Sequence, residues 1–254
     1  MQVIKAFLKY RRQAVNEYSI HSPFVFEFYT EVVKKAKYYD DEFMQHVRRT
    51  FSKDHRDLEI TDLGQGSKKN DHNIRRISEM ARVQSIDRKY GKLLGTIMQH
   101  YKIDTCLELG TSLGIGSAYM AELAERVVTI EGCKNIHAEA QKFWNSRFSN
   151  IEFVHGEFGQ VLPEVLSTIE KLDLAFVDGN HGYQPTLEYF EQIVEKAHND
   201  TFILFDDINW SEDMRKAWDE ICASDKINVS LEFFRMGIVL KRSEQAKEHF
   251  VLKF

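Results

Sequence analysis

The stretch from Thr105 to Glu131 constrains the fold more than any other. It reads as an apolar strand, a glycine loop, an apolar helix, a second apolar strand and an acid: Thr105-Cys-Leu-Glu108-Leu-Gly110-Thr111-Ser112-Leu-Gly114-Ile-Gly116-Ser117, then Val127-Val-Thr-Ile-Glu131-Gly132. A strand that enters a glycine turn and then a helix presents bare backbone N–H groups at its carboxyl end, which suits an anionic or nucleotide-like ligand. Glu131 follows Gly110 by 21 residues, the position from which an acid accepts hydrogen bonds from ribose hydroxyls. The spacing points to an adenosine-containing cofactor.

The same rhythm continues to residue 206. Strands are expected at Thr105–Leu109, Val127–Glu131, Ile151–His155, Leu172–Asp178 and Thr201–Asp206. Helices are expected at 115–125, 135–148, 160–169, 184–198 and 211–223. Alternating strands and helices with short connections imply a parallel sheet covered on both faces, wound by right-handed crossovers. Two further strands, 227–233 and 236–242, are joined only by Phe234-Arg235 and must lie antiparallel. The expected fold is α/β: a Rossmann-like, seven-stranded, mostly parallel sheet with a C-terminal antiparallel pair.

Residues 1–86 are expected to be a helical extension or cap, and 87–254 the cofactor-binding domain. Helical patterns are clearest at 6–18, 24–39 and 87–101, with Ser22-Pro23 as a helix start. The polar segment Asp62–Asn70 echoes a cofactor loop, but no apolar strand precedes it, so it reads as a decoy for the primary site or a lid. Charge divides similarly: residues 1–104 carry a net +6 and residues 105–254 a net −11. Two mutually attracting surfaces explain this, as does a basic region that recruits an anionic substrate such as RNA. Cys106, Cys133 and Cys222 are scattered, which points to a reducing compartment. With no signal-peptide pattern and no long apolar run, the expected location is cytoplasmic, with no membrane span.

Glu108-Leu-Gly-Thr-Ser-Leu-Gly-Ile-Gly-Ser117 resembles the first motif of the class I S-adenosylmethionine-dependent methyltransferases. Within that class it is most similar to the catechol/caffeoyl-CoA-type O-methyltransferases and their uncharacterised bacterial relatives. The nicotinamide fingerprint G-x-G-x-x-G has different spacing. The resemblance covers about residues 87–242. It implies S-adenosylmethionine as cofactor, with Gly110, Thr111, Ser112, Gly116 and Ser117 about its methionine portion and Glu108 orienting the loop or meeting the amino group. It further implies Glu131 and Gly132 at the ribose, Gly156 and Glu157 near adenine, and Tyr90 as a lid contact. Glu157 stands where members of the family often have Asp.

Two other strand ends carry acids: Asp178 in Val-Asp178-Gly-Asn-His181, and Asp206-Asp207 in Phe-Asp-Asp-Ile-Asn. Carboxylates after buried strands need a cation or a donor nearby. By resemblance, Asp178, Asp206 and Asp207 imply a Mg²⁺ site. The family's pair is Asp-Asn, and Asp-Asp adds a negative charge. A metal and direct contact with the cofactor's amino group both stay open. His181, three residues after Asp178, is the candidate base, with Asp178 beside it as the second catalytic candidate; a turn histidine is the bland reading.

The function expected is methylation of a small-molecule hydroxyl, and the resemblance implies a homodimer as the assembly to test. An RNA methyltransferase, an NAD-dependent oxidoreductase and a non-catalytic cofactor-binding module are the other readings.

Overall fold

A computed structural model describes residues 2–61 and 74–254. The expectation for Asp62–Asn70 lies outside the described residues. The N-terminal part contributes helices α1 (Gln2–Gln13), α2 (Pro23–Glu27) and α3 (Glu42–Ser52). A short antiparallel ladder of β1 (Asp57–Glu59) with β2 (Ile74–Arg76) follows, then α4 (Ile77–Val83) and α5 (Arg88–Tyr101). Pro23 opens α2 as expected, its fixed φ suiting the first helical turn. The helix expected over 24–39 is instead broken, passing through a π-helical turn (Phe28–Val33) and a 3₁₀ turn (Ala36–Tyr38). Asp87 caps α5 by accepting from the Lys89 N–H at 2.8 Å.

The α/β part runs β3 (Thr105–Leu109), α6 (Ile115–Ala121), β4 (Arg126–Glu131), α7 (Lys134–Trp144), β5 (Ile151–His155), α8 (Phe158–Thr168), β6 (Leu172–Val177), α9 (Tyr183–Lys196), β7 (Ala197–Phe205) and α10 (Glu212–Ala223). It closes with β8 (Val229–Glu232), β9 (Gly237–Leu240) and β10 (Glu248–Val251). The sheet order is β10-β8-β9-β7-β6-β3-β4-β5. Strands β3 to β7 are mutually parallel, and β9 is antiparallel to both β7 and β8. The sheet has eight strands rather than seven, because β10 adds parallel to β8 and covers its edge. Four residues without clear alternation gave no strand signal there.

Burial on both faces explains why the central strands read as continuous apolar runs; every residue of β6 is buried. The two faces bear two apolar clusters. One holds Leu107, Val128 and Ala175 beneath α8 and α9. The other holds Cys106, Val127 and Phe176 together with Phe28, Met44 and Leu93 of the N-terminal helices. The chain end joins that layer: the Tyr10 hydroxyl donates to the Leu252 carbonyl at 2.7 Å. Among the described residues, no helix is long and apolar enough to cross a membrane.

The polarity of the sheet positions the site. In β3, β4, β6 and β7 the loops carrying Gly110, Glu131, Asp178 and Asp206 leave from the same carboxyl edge, the edge at which open α/β sheets bind ligands.

Candidate functional site

A cavity of about 830 Å³ lies along that edge. The loop after β3 forms its floor. Gly110 has φ +103°, and a Cβ there would lie 2.1 Å from the Asp178 backbone oxygen, so only glycine lets the two strand ends close together. Ser112 follows with φ 47°. Its N–H donates to Glu131 Oε2 at 3.0 Å, while the Cys133 N–H donates to Oε1 at 2.9 Å. Glu131 thus ties the two loops together while still facing the cavity. Burial raises its carboxyl above the ordinary range, against the hydrogen bonds from Cys133 and Ser112. Ser112 lines the cavity, and its Oγ is buried without a partner among the described residues.

Nine of the residues singled out in the sequence line this cavity: Gly110, Ser112, Glu131, Gly132, Glu157, Asp178, His181, Asp206 and Asp207. Six others are not lining residues. Glu108, Thr111 and Ser117 form a buried network below the loop. Ser117 Oγ donates to Glu108 Oε2, Thr129 Oγ1 donates to the same oxygen at 2.7 Å, and the Thr111 and Thr129 hydroxyls are hydrogen-bonded at 2.6 Å. Burial pushes the Glu108 carboxyl up to about 7. Gly116 packs against that carboxylate; a Cβ would come within 2.3 Å of Oε1. The Gly156 N–H donates to the Glu131 carbonyl at 3.0 Å, holding the ends of β4 and β5 together. Tyr90 also sits outside the lining: its buried hydroxyl accepts from the Arg235 N–H at 3.1 Å.

The acids are gathered at one end. Asp178 follows β6, and Asp206 and Asp207 follow β7. Burial, with Asp206 and Asp207 alongside, pushes the Asp178 carboxyl well above its ordinary range. Burial and Asp207 push Asp206 up to about 7. His181 Nε2 lies 3.8 Å from Asp178 Oδ1. Burial lowers the His181 pKa below its ordinary 6.5, so its ring is neutral and able to accept a proton at neutral pH.

The cation beside these acids comes from a residue the sequence reading treated only as a joint. Arg235 Nη2 stands 3.1 Å from Asp206 Oδ2 and 2.9 Å from Asp207 Oδ1. The register Phe205↔Gly237 between β7 and β9 places the Phe234-Arg235 turn beside Asp206-Asp207. Antiparallel pairing of the last strands was the signal that could have located it. Of the five described non-glycine residues with positive φ, three line the cavity: Ser112, Asn180 and Asp207. Such strain gathers at functional sites. The remaining wall includes Ile60, Arg75 and Val83 from the N-terminal part, and Trp210 at the mouth, 66% exposed.

Residues 107–208 match the family model described as a methyltransferase domain. The match spans 102 of the 254 residues. The matched stretch begins within β3, contains β4 to β7, and holds Glu108, Glu131, Glu157, Asp178, Asp206 and Asp207. Solved structures share the fold. An O-methyltransferase from Bacillus cereus in complex with SAH is 20% identical, covering 63% of this chain and 84% of its own, with a TM-score of 0.54. A putative caffeoyl-CoA O-methyltransferase from Staphylococcus aureus is 17% identical over 65% and 88%, with a TM-score of 0.55. The cofactor-bound Rv0187 from MTB is 15% identical over 82% and 94%, with a TM-score of 0.59. No curated protein sequence matches the chain.

Among the described residues, no group of three or more His, Cys, Asp or Glu is placed to hold a metal ion. Asp206 and Asp207 close on a guanidinium instead. The donor set does not fit Mg²⁺, which needs near-octahedral oxygens at about 2.0–2.1 Å.

Proposed function

We propose that this methyltransferase domain uses S-adenosylmethionine to methylate a hydroxyl of a small molecule. The observation that carries the reading is the carboxyl-edge cavity, where the bare Gly110 turn, Ser112 and Glu131 line one space. These groups fit such a cofactor: Ser112 and the loop amides suit its carboxylate, Glu131 its ribose hydroxyls, and Glu157 its adenine end. Bound there, S-adenosylmethionine supplies a methyl group on a sulfonium, whose sulfur departs with the bond's electron pair as a thioether.

The chain's own residues do the rest. Asp178 and the loop orient the reacting carbon at the acid end. His181, neutral at pH 7, takes the acceptor's hydroxyl proton as its oxygen forms the bond to the methyl carbon. The N-terminal wall and Trp210 enclose the acceptor and exclude water. The cap over residues 1–86 is the part that sets acceptor choice in this reading.

Calorimetric titration with S-adenosylhomocysteine, and separately with NADH, tests the cofactor. Micromolar binding of the first alone is expected; binding of NADH alone returns the oxidoreductase reading. Glu131→Ala should weaken S-adenosylhomocysteine binding more than about tenfold, some 1.4 kcal/mol, through loss of the ribose contacts and of the Ser112 tether. An unchanged affinity refutes the ribose assignment. His181→Ala should slow turnover by about 10²–10⁴ with cofactor affinity unchanged. It should also remove a limb of the pH–rate profile lying below the ordinary histidine pKa of 6.5, since only the neutral ring accepts a proton. A fully active variant removes His181 as base.

A further inference from the structure

Asp178, Asp206 and Asp207 face one cavity end, and carboxylates so placed need a neutralising charge. In the resembled enzymes a divalent metal supplies it. Here Arg235 Nη2 lies within 3.1 Å of Asp206 and 2.9 Å of Asp207. The guanidinium is held in place by its backbone. The Arg235 N–H donates to the Tyr90 hydroxyl at 3.1 Å, and its carbonyl accepts from the Ile208 N–H at 2.9 Å. Next to it, Asn209 Nδ2 donates to the Phe234 carbonyl at 2.8 Å, and the Phe233 N–H closes the turn on Met236 O at 2.8 Å. Asp207 takes a left-handed φ of 52° on the other side. Such a conformation persists where the surroundings over-determine it.

We propose that Arg235 is the built-in cation of this centre and that the acids around it work without a metal. A guanidinium stays charged across the working pH range and presents donors in a fixed fork. Nη2 serves the two aspartates. Nη1 has no partner among the described residues, and Arg235 lines the cavity with its side chain 36% exposed. Nη1 is therefore the donor that meets the acceptor oxygen as charge builds on it, the task a Lewis acid would otherwise perform. The proposal rests on the methyltransferase reading for the role of that oxygen. The cation assignment itself rests only on the geometry.

The test uses the full chain stripped with EDTA, with MgCl₂ or MnCl₂ alone as probe. Thermal melting and calorimetry read metal binding, and S-adenosylhomocysteine binding is measured on the same samples. Wild type should show no metal-dependent melting shift, and its turnover should be insensitive to EDTA. Arg235→Gln, which leaves three acids without their cation, should gain metal affinity by at least about tenfold. Arg235→Lys, which keeps the charge, should stay metal-insensitive. Should Arg235→Gln fail to fold, wild type and Arg235→Lys decide. Metal binding by either of those overturns the proposal, as does a folded Arg235→Gln that binds metal no better than wild type. If S-adenosylhomocysteine does not bind wild type, the methyltransferase reading fails while the metal result still stands on its own.

Discussion

Gly110→Ala should abolish measurable S-adenosylhomocysteine binding and lower the melting temperature of the chain. Two costs add. Alanine is disfavoured at φ +103°, and its Cβ would fall 2.1 Å from the Asp178 backbone oxygen. That oxygen lies one residue past a fully buried strand, and the Asp178 N–H donates to the Leu109 carbonyl at 2.8 Å, so it has little room to retreat. Together these suggest a loss of roughly 2–4 kcal/mol, or roughly 5–15 °C at this chain length. Any retreat also separates Gly110 from Asp178 and shifts Ser112, the residues proposed to cradle the cofactor. Gly159→Ala is the control, because a Cβ there meets nothing within 4 Å. It should bind and melt as wild type does. A Gly110→Ala protein that melts and binds normally would show that the β3 loop is neither closely packed nor the cofactor cradle.

Much of this architecture was legible because burial on two faces writes itself into sequence. β3 and β5 occupy the expected 105–109 and 151–155, since their apolar runs end at glycine or acid. The acids at 178 and 206–207 are legible for the same reason: a hydrophobic run that ends in a carboxylate marks a carboxyl edge. What escaped depends on tertiary structure. Ser112, Asn180 and Asp207 adopt positive φ although nothing in their side chains demands it; the surrounding loops impose it. Arg235 sits in a two-residue joint whose importance appears only through the register of β9 on β7. The helix expected at 24–39 breaks because Phe28, Val32 and Val33 must all be buried against the sheet, and a regular helix does not turn them to one side. Glu108 was read as a cofactor contact or loop orienter, and the structure sets it in a hydroxyl network beneath the loop.

That network makes a second large effect testable without any ligand. Glu108 is buried, and burial outweighs the hydrogen bonds from Ser117 and Thr129, raising its carboxyl from an ordinary 4.5 to about 7. The sign follows from linkage. Below the unfolded value both states hold the proton, and Glu108 contributes no pH dependence. As pH rises from there towards 7, the unfolded chain releases its proton while the folded chain keeps it, so stability falls. Above the folded value the whole cost is present. The gap between those two values corresponds to roughly 3 kcal/mol. Glu108→Gln keeps an oxygen to accept from Ser117 and Thr129 and cannot ionise. Urea unfolding of the ligand-free protein should show the variant gaining on wild type between about pH 5 and about pH 8, by up to roughly 3 kcal/mol. Asp178 and Asp206, also raised, titrate in both proteins and largely cancel in that difference. Any fixed change in hydrogen bonding shifts both ends of the comparison equally, so the slope with pH is the quantity that decides. A difference that stays flat would mean that Glu108 is ionised in the folded protein at neutral pH, and the network beneath the loop would then have to hold a charge rather than a proton.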